Sequence, residues 1–205
     1  VRLDAVSPVY VSDIYMQNQP ERTKVKAILT VNNTSAKTEK QDIYFSVYEK
    51  ENPGKVILEK KLPRVALKQG TNVVTMELHC PEARIWDLDT PYLYVCGVDV
   101  KSGKKLSDRA VQTFGFRWFE PVGIGKDAML RLNGRRVMLR TAISWGYWPA
   151  TGLYATPEMA EKQVSVAKSM GLNMLNFHRS IGSPVVLEKA DELGLLYYEE
   201  PGAFH

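Results

Sequence analysis

From residue 9 to about residue 119 the chain alternates. Val25, Ala27, Leu29 and Val31 stand between Lys24, Lys26, Ile28 and Thr30, giving one apolar face and one mostly polar face. That is the period of a half-buried antiparallel strand. Runs of the same kind occur at 9–16, 43–49, 55–61, 72–78, 92–100 and 108–116. Asn32-Asn33, Pro53-Gly54, Gln69-Gly70 and Ser102-Gly103 supply turns between them. About seven short strands without a helical stretch predict a β-sandwich of immunoglobulin-like type over residues 1–119.

After Phe119 the period changes. Residues 128–132 and 136–144 read as strands around Asn133-Gly134, a dipeptide whose two positions both tolerate positive φ. Thr156-Pro157-Glu158 opens a helix, with Ala160, Val164, Ala167 and Met170 as its apolar stripe and Gly171 as its stop. Residues 172–177 form a strand. A second helix starts at Ser183-Pro184, carries Val186, Leu187, Ala190 and Leu193, and stops at Gly194. Residues 195–198 form another strand. The order β-α-β-α-β predicts parallel strands with right-handed crossovers over residues 120–205. In a (β/α)8 barrel the functional groups gather at the C-terminal strand ends. Here those ends carry Ser144-Trp145, the stretch from Asn176 to Arg179, and Glu199-Glu200. Three such strands are either an α/β appendage or the start of a TIM barrel, and the short stretch after Glu200 favours a barrel cut partway.

Composition narrows the class. In 205 residues, 44% are apolar and 24% charged, a balance that builds a core and excludes a disordered or collagen-like chain. The net charge of +4 lies in residues 1–119 and is spread thinly there, with Lys60-Lys61 and Lys104-Lys105 as the only lysine pairs. A nucleic-acid partner needs a concentrated basic stripe, so none is expected. No apolar run reaches the ~18 residues of a membrane span, and no basic start leads into an apolar stretch as in a signal peptide. The opening Val1-Arg2-Leu3 without Met reads as a mature chain or a piece of a longer one. His79, His178 and His205 lack metal-ligand spacing, so no metal is expected. Cys80 and Cys96 flank Trp86, too close together for the inter-sheet bridge of antibody domains. Cys96 shares parity with Tyr94 and Val98, which predicts a buried free thiol and leaves a disulfide open. Two cysteines do not fix the compartment; a periplasmic or secreted parent is one option.

Several segments together resemble glycoside hydrolase family 2, which contains β-galactosidases, β-glucuronidases and β-mannosidases. Trp86-Asp87-Leu88-Asp89-Thr90-Pro91-Tyr92-Leu93-Tyr94 resembles its Trp…Pro-x-Leu-Tyr segment. Phe114-Gly115-Phe116-Arg117 is similar to its Gly-Phe-Arg closing strand. Leu132-Asn133-Gly134, running on to Leu139-Arg140, resembles its entry into the barrel. Gly171-Leu172-Asn173 resembles its Gly-x-Asn strand start, and Asp191 to Glu200 resembles Asp-x-x-Gly, four apolar residues, then acids. The match runs in order over residues 85–200, and the family places an immunoglobulin-like domain just before its barrel. Asn176 stands where the family usually has Arg. His178 fits a mannosidase-like pattern, and the Ser-His-Tyr-Pro of galactosidases and glucuronidases is absent.

The resemblance implies a retaining β-glycosidase that acts on carbohydrate without an organic cofactor. Its two glutamates, ~5–5.5 Å apart, act as nucleophile and acid–base. In the family they come from later barrel strands, so no catalytic residue is expected in this chain. The substrate-binding candidates are Trp145, Asn176, His178, Arg179, Glu199 and Glu200. Each has a second reading. Glu199 and Glu200 are neighbours on a strand and point to opposite faces, so one lies near the subsite, binding a hydroxyl or an Arg, and the other is structural. His178 binds a hydroxyl or sits satisfied at the rim. Arg179 binds sugar or pairs with Glu199 or Glu200. Trp145, Tyr147 and Trp148 form a sugar platform or pack the loop. Arg140 is read as a salt-bridge partner, Trp86 and Tyr94 as sandwich core, and residues 32–35 hold two overlapping glycosylation sequons. The alternative class is a non-catalytic carbohydrate-binding or spacer module, with a protein-interaction sandwich as a third. An open barrel edge also predicts self-association of the chain.

Overall fold

The computed structural model describes residues 5–148, 151–152 and 154–200. The opening tripeptide and the 201–205 stretch, with His205, lie outside the described residues. The chain divides into two units: Val1–Arg84 with Leu93–Arg117, and Ile85–Tyr92 with Trp118–His205.

The first unit is an antiparallel sandwich of seven strands. One sheet has the order β1 (Val9–Asn18), β2 (Lys24–Asn33), β5 (Gly70–His79). The other has the order β4 (Asn52–Leu67), β3 (Glu39–Glu49), β6 (Tyr94–Ser102), β7 (Lys105–Phe114). The alternation does what it predicts. Val25, Ala27, Leu29 and Val31 of β2 are buried, as are Ile43, Phe45 and Val47 of β3 and Cys96, Val98 and Val100 of β6. A fully buried side chain of this size contributes ~1.5–3 kcal/mol. Tyr94, Phe114 and Phe116 pack at ring distances of 5.0–6.2 Å, and the Tyr94 hydroxyl accepts the Arg84 N–H at 2.8 Å. β4 extends well past the run at 55–61. Pro63 has no N–H to give and Arg64 takes φ +53°, so the register slips there and Asp42 Oδ1 accepts the Arg64 N–H instead.

Both cysteines are free and buried, so the open disulfide alternative is not formed. Burial pushes the Cys80 thiol up to about 11 and Cys96 up to about 12. Protonated thiols of this kind are inert nucleophiles.

Asp99 of β6 is the strongly perturbed acid of the sandwich. Arg109 binds it through two nitrogens, at 2.6 and 2.8 Å, and Lys101 lies 3.1 Å away. The Arg109 guanidinium, ahead of Lys101, holds its carboxyl down at about 2. A folded-state value below the unfolded one stabilises the fold at neutral pH, and the gain is lost as pH falls through that window. Denaturant unfolding is expected to show a loss of about 1 kcal/mol between pH ~4 and ~2. Asp99→Asn is expected to remove that part of the acid dependence.

In the second unit, β8 (Phe119–Val122), β9 (Met129–Leu132) and β10 (Arg135–Val137) form an antiparallel sheet with β9 central. β8 was not separated in the sequence. It is an edge strand, where Pro121 is tolerated. The single strand expected at 136–144 is two strands. β10 pairs with β9 across the Asn133-Gly134 turn, and β11 (Thr141–Ser144) joins a different sheet. That parallel sheet has the order β11, β12 (Met174–Phe177), β13 (Leu196–Glu199), connected by α1 (Pro157–Ser169) and α2 (Pro184–Leu193).

Thr156 caps α1, its hydroxyl accepting the Met159 N–H at 3.3 Å. Met170 is not part of the buried stripe. It is the C-cap, past the last helical turn, and is 73% exposed. Ala160, Val164 and Ala167 of α1 and Val186 and Ala190 of α2 are buried in one cluster with Leu175, Phe177 and Leu195.

Trp86 is fully buried, as expected of a core residue, but in the second unit and not in the sandwich. Its indole N–H donates to the Asp191 carbonyl at 2.7 Å. Tyr94, by contrast, is buried in the sandwich.

Candidate functional site

The parallel sheet has two unlike faces. Side chains of Leu175 and Phe177 in β12 enter the helix-covered cluster. The intervening residues point the other way. The register aligns Ile143, Asn176 and Tyr198 across the three strands, and Ile143 and Tyr198 are exposed. Continued one step past the strand ends, the same parity carries Trp145, His178 and Glu200. Alternation therefore brings a tryptophan, an amide, an imidazole and a carboxylate to one edge of one face.

Glu200 is the hub. Its Oε1 accepts the Asn176 amide at 3.1 Å and lies 3.5 Å from His178 Nδ1, while Oε2 accepts the Arg179 main-chain N–H at 2.9 Å. Arg179 has φ +56°, a turn that aims its N–H at the carboxylate. That N–H, then the Asn176 amide, then His178 hold the Glu200 carboxyl below the usual carboxylate range. The His178 ring meets Trp145 edge-on at 4.5 Å, and the Trp145 side chain is otherwise largely exposed. The Asn176 Oδ1 atom is buried without a hydrogen-bond partner, a spare acceptor beside the carboxylate.

Glu199 does something else. It follows Phe177 in the register, and its Oε1 accepts the Gly182 N–H at 2.9 Å. A Cβ on Gly182 would run into the Phe177 ring, so only glycine lets the loop settle there. The structure thus gathers Asn176, His178 and Glu200, with Trp145 against His178 and Arg179 joining through its main chain. Glu199 pins the neighbouring loop. Tyr147 is exposed, whereas Trp148 packs in the helix cluster, which splits the expected aromatic platform. Tyr198 and Ile143 share this face, and parity with Asn176 is their signal in the sequence. The Gln163 amide, which no sequence pattern marks, donates to Ser144 Oγ at 2.9 Å. Among the described residues no group of His, Cys, Asp or Glu is placed to hold a metal ion.

Residues 9–117 match the family model of the glycosyl hydrolases family 2. The chain belongs to this family. It is 29% identical over 212 residues to a β-galactosidase of Thermoanaerobacterium thermosulfurigenes, a match covering 98% of this chain and 28% of that protein. A β-glucuronidase structure from Parabacteroides merdae superimposes with TM-score 0.75 at 26% identity, covering 94% of this chain and 23% of that one. A family 2 member from Bacteroides cellulosilyticus superimposes with TM-score 0.82 at 22% identity, over 94% of this chain and 25% of that one. The chain spans between 12% and 28% of the length of the curated relatives it matches.

Several residues in the segments that resemble family 2, and Lys168 beside them, are clamps. Asn133, at φ +52°, accepts the Trp118 N–H at 2.9 Å and donates to the Trp86 carbonyl at 2.9 Å. Lys168 donates to the carbonyls of Leu88, Leu193 and Gly194, at 2.6, 2.5 and 3.1 Å. Asn173 accepts the Arg140 N–H at 2.8 Å and donates to the Met138 carbonyl at 2.9 Å, which turns the chain from β10 into β11. Arg140 makes no salt bridge among the described residues. Its Nε donates to the Gly171 carbonyl at 2.6 Å instead. Asn173→Ala leaves the Arg140 N–H and the Met138 carbonyl, both in part-buried bonds, without this partner. It is expected to cost about 1–2 kcal/mol in denaturant unfolding.

Proposed function

We propose that this chain is the sugar-contacting, non-hydrolysing part of a retaining β-glycosidase, with its three parallel strands as the opening of a (β/α)8 barrel. The observation that supports it best is the Glu200 cluster at the C-terminal strand ends. An ionised carboxylate and an imidazole offer both acceptors and a donor to ring hydroxyls. The exposed Trp145 indole offers an apolar face to the sugar CH groups. Arg179 and Glu199 complete the site by setting the loop over it. The substrate class is a terminal β-linked sugar of an oligosaccharide or glycan, in line with the β-galactosidase and β-glucuronidase names of the relatives.

Hydrolysis with retention needs two carboxyl groups facing one anomeric carbon. Glu199 and Glu200 engage different partners on opposite sides of the strand end, which argues against their being that pair. The nucleophile and the acid–base are assigned to a part of the parent enzyme outside this chain. The exposed Ile143, Trp145 and Tyr198 on one sheet face are consistent with self-association of the chain in solution.

The test is a calorimetric titration of the chain with methyl β-galactoside, β-glucoside, β-glucuronide and β-mannoside. One of these is expected to bind, and Trp145→Ala and His178→Ala are each expected to weaken it. Equal binding in both variants would remove the strand-end site.

A further inference from the structure

The outer face of the four-stranded sheet of the sandwich carries a trough of about 660 Å³. That lies within the ~300–1,000 Å³ common for ligand sites. It arises from side-chain sizes along β3. Tyr44, Ser46 and Tyr48 sit on the less buried face of that strand, and Gly97 of β6 lies directly beside Ser46. The two small residues make the floor. A Cβ on Gly97 would come 2.8 Å from Ser46 Oγ and 3.6 Å from Tyr48 Cε1, so the Tyr48 ring stands over the glycine. Tyr44 and Tyr48, four residues apart and ~13 Å along the backbone, both line the trough.

The wall beyond Tyr44 is charged but internally matched. Lys61, Tyr44, Asp99 and Arg109 form one cross-strand row. Asp99 is held by Arg109 and Lys101, and Lys61 is held by Asp42 at 2.7 Å. The ammonium groups of Lys61 and Lys101 also lie 4.9 and 4.8 Å from the centre of the Tyr44 ring. An anionic ligand would have to displace these pairs to gain from the cations. A neutral ligand would not, because fixed guanidinium and carboxylate groups still offer hydrogen bonds to hydroxyls. An aromatic wall, a small-residue floor and pre-set polar groups together suit a ring with an apolar CH face and an equatorial belt of hydroxyls.

We propose that this trough binds a neutral oligosaccharide. The site belongs to the sandwich and rests on none of the strand-end residues. Its test is a titration of the 205-residue chain with neutral hexasaccharides of β-linked glucose, galactose, mannose or xylose, read from backbone amide shifts. Saturable shifts are expected at Ser46, Gly97, Asp99 and Val111 with one of these sugars, at dissociation constants of about 0.1–10 mM. Tyr48→Ala is expected to lower the affinity about tenfold or more, and Arg109→Ala likewise, with the amide spectrum otherwise intact. Tyr48→Phe keeps the ring and is expected to keep binding. Glu200→Ala is expected to leave the trough shifts unchanged, so a failure of the strand-end reading would not be mistaken for a failure here. The absence of saturable shifts at about 10 mM of every sugar would overturn the proposal. So would affinity unaltered in Tyr48→Ala, or a response confined to uronate- or sulfate-bearing sugars.

Discussion

Gly194→Val is expected to unfold the second unit at markedly lower denaturant, with a loss of about 3 kcal/mol or more. Two costs add. Gly194 ends α2 at φ +79°, where a side chain meets its own backbone. Its missing Cβ is also where the Leu88 carbonyl sits, with Lys168 Nζ 3.0 Å away. A branched side chain would push residues 85–92 away from α2 within the second unit and break the Lys168 bonds to three carbonyls. Gly171 isolates the first cost. It has φ +78° but nothing within 4 Å of a built Cβ, so the same change there, Gly171→Val, is expected to cost only about 1–2 kcal/mol. Equal losses for the two variants, measured by urea unfolding, would mean that Leu88 does not close on Gly194.

Glu200→Ala is expected to weaken sugar binding about tenfold to a hundredfold, with Glu199→Ala having the smaller effect. The ranking follows from partners. Glu200 organises Asn176, His178 and the Arg179 N–H, and its removal frees all three, whereas Glu199 holds one loop N–H. The pH profile carries a second signature. Because the Glu200 carboxyl is held below the usual carboxylate range, the acceptor stays ionised in mildly acidic solution. Binding is therefore expected to persist as pH falls through the ordinary glutamate range and to fail only below it. Calorimetry with the bound methyl glycoside across that range reads this directly. A larger loss for Glu199→Ala than for Glu200→Ala would contradict the cluster as described.

Much of this was legible because local pattern and burial agree. In the sandwich, strands such as β2 bury every second residue, so period two alone marks them. The helices were marked by Thr156-Pro157 and Ser183-Pro184 at their starts and by Gly194 at one end. What escaped were features set by distant partners. Residues 136–144 look like one strand, but Asn173, more than thirty positions on, bonds both sides of the turn that cuts it. Trp86 looks like sandwich core because its neighbours alternate, yet its partner is a carbonyl of α2. The candidate site was readable as strand ends. That Glu200, and not Glu199, gathers the cluster depends on the Arg179 backbone turn, which no periodicity records.

The most direct test of the account combines turnover and binding on the same sample. The chain is incubated with nitrophenyl β-galactoside, β-glucoside, β-glucuronide and β-mannoside, and the same sugars are titrated by calorimetry. The account predicts no hydrolysis of any substrate, together with binding of one sugar that weakens in Glu200→Ala. Specific turnover abolished by replacing Glu199 or Glu200 would contradict it, because the hydrolytic pair would then lie within these strand ends.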